Sequence, residues 1–163
     1  MVVSVAAADT GDAAELATVA AVTFPLACPA SADPAHIAAH IAGNLSRERF
    51  DEYLCAPDRV VLAARIDGQI IGYAMAIRGT DTVELSKMYV APAHHGDGAA
   101  GALMQACLDW AAQIGAATVW LGVNQGNERA QRFYRKHGFV VTGTRTFQLG
   151  PTIENDFVMM RRL

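Results

Sequence analysis

The sequence predicts an α+β fold built around one mixed sheet, and three observations carry that reading. Two β-branched apolar runs, RVVLAARI and QIIGYAMAIR, flank Asp67-Gly68. That dipeptide between such runs marks a hairpin. Beyond the hairpin, helical segments separate the strands, and a strand that returns through a helix lies parallel to its neighbour. Finally, the apolar period changes from two to about 3.6 after Gly98, as it does where a strand gives way to an amphipathic helix.

The elements follow in order. Val2 to Ala7 is a short apolar strand. A helix is expected from about Asp12 to Phe24, with Leu16, Val19, Ala20 and Thr23 on one face and Pro25 and Pro29 ending it. Asp33-Pro34 starts a second helix, the acid as cap and proline in the first turn. Ile37, Ile41 and Leu45 give it its period, and Ser46 caps a short third helix from Arg47 to Cys55. After the hairpin, Thr82 to Val90 alternates Val83, Leu85, Lys87 and Tyr89 against Glu84, Ser86, Met88 and Val90, the period of a strand, and Pro92 stops it. From Gly98 to Ile114 a helix carries the stripe Leu103, Cys107, Trp110 and Ile114, and Gly115 closes it. TVWLGV is the next strand. Asn127 caps a helix running to His137, with Gly138 just past its end. Phe139 to Leu149, interrupted at Gly143, and Asp156 to Arg161 complete the sheet, with Gly150 to Asn155 as a loop between them.

Composition narrows the function. A chain of 163 residues suits one domain over 1–163, and 52% hydrophobic against 18% charged residues argues against disorder. A net charge of −3 and a pI near 5.9 give no reason to expect nucleic acid. Cys28, Cys55 and Cys107 are far apart and odd in number, which reads as reduced thiols rather than a disulfide framework. MVVSVAAADTGDAAE has no basic opening, so no signal peptide is expected. No apolar run reaches about 18 residues, so no membrane span is expected either. These features predict a cytoplasmic protein.

The richest segment joins a strand to a helix: Tyr89-Val90-Ala91-Pro92-Ala93-His94-His95-Gly96-Asp97-Gly98-Ala99-Ala100-Gly101. Small residues at a helix N-terminus let backbone amides approach a ligand, and the helix dipole there favours phosphate. Gly96, Gly98 and Gly101 spell the dinucleotide fingerprint, but that motif needs an acid about 20 residues on, at the end of the next strand. That strand ends Leu121-Gly122-Val123-Asn124, with no acid. No Gly-Lys-Ser/Thr follows, so a Walker loop is excluded as well.

His95-Gly96-Asp97-Gly98-Ala99-Ala100 resembles the pyrophosphate loop of the GCN5-related N-acetyltransferase (GNAT) superfamily, Gln/Arg-x-x-Gly-x-Gly/Ala, with His95 replacing the usual Gln or Arg. Downstream, Asn127 to Phe139 matches the superfamily's N-x-x-A-x-x-F-Y-x-x-x-G-F helix without a gap. Asp67 to Tyr73 is similar to its central hairpin. The ending, with Trp120 to Val123, Thr146 to Gly150 and Asp156 to Met159, resembles a subgroup that includes spermidine/spermine acetyltransferases. Asn155 and Pro151-Thr152 depart from that subgroup's acidic segment.

The resemblance implies a mostly antiparallel sheet flanked by helices, with a parallel strand pair that splays where the glycine loop begins. It implies acetyl-CoA as cosubstrate, its pyrophosphate at His95, Gly96, Asp97, Gly98, Ala99 and Ala100. Pantetheine would pair with backbone at Met88 and Val90. Tyr134 matches the family tyrosine that protonates the departing thiolate. Glu84 lies where related enzymes place a general base, although a strand glutamate is ordinarily a solvated residue. Asn127 serves either only as an N-cap or as a cofactor contact.

Other features carry less. His36 and His40 stand four apart on a helix but have no third ligand in view, so no metal is expected. Cys107 belongs to a core stripe. Arg129, Arg132, Arg135 and Lys136 read as a solvated helix face, one member of which could reach a CoA phosphate. The activity expected is acetyl transfer to a primary amine, a polyamine or another small amine, with a homodimer compatible. The alternatives are a protein amine as acceptor, or a catalytically idle acyl-CoA-binding module. The acceptor side is expected to form from the N-terminal helices and the Gly150 to Asn155 loop.

Overall fold

The computed structural model describes residues 2–163, which form seven strands and five α-helices. The strands make one sheet in the order β1-β2-β3-β4-β5-β7-β6. They are β1 (Ser4–Ala7), β2 (Arg59–Ile66), β3 (Gln69–Arg78), β4 (Thr82–Val90), β5 (Thr118–Asn124), β6 (Val140–Leu149) and β7 (Thr152–Arg162). Every neighbouring pair is antiparallel except β4 and β5. That exception is the crossover expected after Gly98. The hairpin turns at Asp67 and Gly68, whose φ values of 51° and 80° suit the tight turn that Asp-Gly favours.

The sheet separates two cores. On one face, α1 (Ala13–Ala27), α2 (Pro34–Asn44) and α3 (Arg47–Cys55) pack with Phe50, Tyr73, Met75 and Leu149. On the other, α4 (Ala99–Gln113) buries Leu103, Met104 and Cys107 against Val83, Leu85 and Leu121, and α5 (Glu128–Lys136) adds Phe133 and Tyr134 at its margin. Leu103 and Cys107 are fully buried as the expected stripe requires, whereas Trp110 and Ile114 are half-buried at its edge. The caps are those the sequence names: Asp33 accepts from Ala35 N–H, Ser46 from Arg49 N–H and Asn127 from Ala130 N–H.

Three expectations give way. The first helix runs through Pro25 to Ala27. Proline removes one N–H, and only a single turn remains beyond it. Cys28 closes that turn, its N–H donating to Pro25 O and its thiol to Phe24 O.

The Gly150 to Asn155 loop is mostly strand. Leu149 pairs with Thr152, so Gly150-Pro151 is a tight turn and β7 begins four residues before the expected Asp156.

The simple alternation of β4 also fails. Met75 pairs with Lys87 and Ala76 with Leu85, leaving Ser86 as an extra residue on β4. A bulge of this kind exchanges the two faces of a strand. Val83 and Leu85 therefore face the α4 core together with Met88 and Val90, while Tyr89 joins the opposite cluster. Among the described residues no helix is long and apolar enough to cross a membrane.

Candidate active site

β4 and β5 pair only from Thr82 to Glu84 and from Thr118 to Trp120. Beyond that point β4 remains bonded to β3 through Val90, and β5 to β7 through Asn124. The facing edges of Ser86–Val90 and Leu121–Asn124 have no strand between them. The opening begins after Glu84, well before β4 ends at Val90 and the glycine loop starts at His95, earlier than expected. Unpaired backbone N–H and C=O groups along such a slot suit an extended ligand that itself carries amides.

At the far end of β4 the chain enters α4. Gly98 caps this helix with φ 87°, a left-handed conformation that costs a non-glycine residue roughly 1–2 kcal/mol. Ala102 N–H is bonded to Gly98 O at 3.1 Å, which leaves the amides of Ala99, Ala100 and Gly101 at the open end of the helix. A side chain on Gly96 or Gly98 would project into open space, so the backbone is accessible there. This open terminus fits a phosphate.

The His95 ring is built into the connection. Its Nε2 lies 2.9 Å from Val90 O, and its Nδ1 lies 3.1 Å from Arg129 Nη1. The ring therefore donates to the carbonyl and accepts from the guanidinium, and Arg129 is brought from α5 to the loop. The Val90 carbonyl already has a partner. Asp97 pairs with His94 Nδ1 at 3.0 Å.

Between the splayed strands and α1–α2 lies a cavity of about 410 Å³. Glu84, Met88, Asn127 and Tyr134 all line it, so four of the sequence-derived residues converge. Val90 and His95–Ala100 are not part of that lining and form the separate, loop end of the site. The Tyr134 ring packs against Phe133 and Phe139 at 5.6 and 6.0 Å. Burial pushes its phenol up to about 12. The Asn127 side chain caps α5 while also reaching the cavity wall.

Sequence reasoning missed a charged row across the cavity. Arg145, on β6, lies 3.3 Å from Asp156 and 3.8 Å from Glu84, its guanidinium 5.6 Å from the Trp120 ring centroid. Burial raises the Asp156 carboxyl above its ordinary range, with Arg145 acting in the opposite sense. Lys87 and Glu154 line the same space. Burial lowers the Lys87 ammonium, partly offset by Glu84.

His40 stacks on Phe24, centroids 4.5 Å apart and planes 10° from parallel, and burial lowers its imidazolium pKa. Its place is in an aromatic wall rather than beside His36. Cys107 is core, its thiol pushed up to about 12 by burial.

Comparison with known proteins gives a consistent result. The model of the "Acetyltransferase (GNAT) family" matches residues 31–139. An uncharacterized N-acetyltransferase of Mycobacterium tuberculosis is 61% identical over 153 residues, covering 93% of this chain and 98% of that protein. Streptothricin acetyltransferase of Streptomyces lavendulae is 32% identical over 90 residues, covering 54% of this chain and 48% of that enzyme. Among solved structures, the PaiA N-acetyltransferase of Thermoplasma acidophilum, in complex with coenzyme A, has a TM-score of 0.89 at 21% identity with full coverage of both chains. At that identity the likeness concerns the fold.

Proposed function

The chain belongs to the GNAT acetyltransferase family and is an N-acetyltransferase, and we propose that its acceptor is a primary amine on a small molecule. The observation that carries this reading is the compact cavity where β4 and β5 part, with Tyr134 and Glu84 in its walls. A protein amine would ask for a wide surface groove. A space of about 410 Å³ falls in the range of small-molecule sites. The polyamine-acetylating subgroup belongs within this class.

Acetyl-CoA supplies an acyl group already activated as a thioester. In the proposed arrangement the amides of Gly96 to Ala100 and the α4 terminus hold its pyrophosphate. The edge of β4 at Met88 and Val90 aligns pantetheine in the slot, although the Val90 carbonyl is already held by His95. The acceptor nitrogen attacks as the neutral amine, forming the C–N bond as the C–S bond breaks. Tyr134 gives its proton to the departing sulfur, and Glu84 receives the proton shed by nitrogen, directly or through water. The Tyr134 phenol is protonated through neutral pH, as a donor must be, and burial extends that range to about pH 12.

The test pairs thiol release from acetyl-CoA across a panel of small amines and peptides with calorimetric binding of acetyl-CoA alone. Release with small amines and none with peptides is expected. Release confined to peptides overturns the acceptor reading, and binding without release on any amine supports the idle-module alternative.

A further inference from the structure

We propose that Lys87 is a specificity residue that binds a carboxylate of the acceptor, so that the preferred acceptor carries both an amine and an acid. The proposal rests on the small-amine reading above and narrows it.

The argument starts with the bulge at Ser86. In a regular strand Glu84 and Lys87 would project to opposite faces. The extra residue puts both on the cavity side, where both line the wall. They stand no more than about 10 Å apart along the strand, a separation that an acceptor a few bonds long can bridge.

The five fixed charges of the cavity are not equivalent. Arg145 is held by Asp156 and Glu84. Lys87, among the described residues, forms no ion pair. Its Nζ lies 5.7 Å from the Tyr53 ring centroid, and the Arg59 guanidinium lies 5.6 Å from the same centroid. A cation drawn into a wall by burial and left without a carboxylate has lost solvation that an anionic ligand can restore.

A second donor stands on the same side. The His40 Nδ1 lies 3.4 Å from the Asn44 amide nitrogen, and in the tautomer that accepts this bond its Nε2 carries the hydrogen. Burial first, and the nearby Lys87 charge second, lower the His40 imidazolium pKa, so the ring is neutral beside it. The remaining carboxylates, Glu84, Glu154 and Asp156, lie in the same wall and suit the amine end of the acceptor. A dication such as a polyamine would place its second charge against Lys87.

The probes are δ-aminovalerate, its carboxamide, which has the same length and no negative charge, and cadaverine. The parent enzyme should prefer δ-aminovalerate over both others in kcat/KM. In Lys87→Met that preference should fall by roughly ten- to a hundredfold, the worth of one charge-assisted hydrogen bond. The loss should appear mainly in KM, and Lys87→Arg should retain most of the preference. Equal or better use of the carboxamide or cadaverine by the parent overturns the proposal while leaving the small-amine reading intact. An unchanged preference in Lys87→Met does the same. No thiol release with any small amine overturns both.

Discussion

The guanidinium of Arg145 occupies the space that a side chain on Gly122 would need. Strand β5 is bare at that point, and Arg145 reaches across it to lie over Trp120 between Asp156 and Glu84. The glycine thus determines where a half-buried charge pair can sit, and the pair in turn shapes one wall of the cavity.

Gly122→Ala should therefore act through Arg145. Overpacking of this kind costs about 1–3 kcal/mol, and it should also separate Arg145 from Asp156. The pH dependence has a definite sign. The folded-state pKa of Asp156 lies above the ordinary 3.8. Stability from this group is complete below that value and is lost as pH rises through the folded pKa. Displacing Arg145 removes the influence that holds the pKa down and deepens the loss. Urea denaturation should show a larger penalty for the variant at pH 7 than near pH 4, and equal penalties would count against the linkage.

How much of this was legible in the sequence depends on how local each cause is. The caps at Asp33, Ser46 and Asn127 and the turn at Asp67-Gly68 depend on adjacent residues, and each was found where the sequence puts it. The Ser86 bulge depends on the register of β3 against β4, which alternation within β4 cannot reveal. Arg145 gains its role from Gly122, Trp120 and Asp156, and nothing near it in sequence announces that. Thr152 to Asn155 reads as a loop because it is mostly polar, yet its backbone is paired to β6. The motifs lie on the side proposed for the cofactor, and none lies on the side proposed for the acceptor.

The loop end of the site is tested by two substitutions at Gly98. Gly98→Ala places a Cβ in open space but in left-handed backbone, so it should lose about 1–2 kcal/mol of stability and little cofactor affinity. Gly98→Glu adds bulk and negative charge where the pyrophosphate is proposed to lie. Calorimetry should find acetyl-CoA binding lost in the second variant and largely kept in the first. Matching affinities in the two folded variants would place the phosphates elsewhere.

Glu84 faces the cavity 3.8 Å from Arg145, so the amide of Glu84→Gln fits the same space. If the carboxylate takes the acceptor's proton, the variant should lose most activity at low pH, where the free amine is mainly protonated. At high pH the acceptor arrives neutral and the gap should narrow. Parallel pH–rate profiles for parent and variant would assign Glu84 to holding Arg145 rather than to proton transfer.

The sharpest case is Tyr134→Phe, because it removes one hydroxyl and almost no volume. Phe133 and Phe139 still have a ring to pack against, so the fold should persist. Acetyl-CoA affinity should change little, since a proton donor acts on charge that develops only as the thiolate leaves. Turnover should fall by roughly a hundredfold, within the range of one general acid. Alkaline stability supplies a separate check. The phenol is raised from 10.0 to about 12 by burial, so its share of stability is present below pH 10 and is lost as pH climbs through about 12. That share should vanish in the variant, whose stability should decline less steeply over this window. Near-normal turnover together with a lowered melting temperature would make Tyr134 a packing residue, and the departing sulfur would then need another source of its proton.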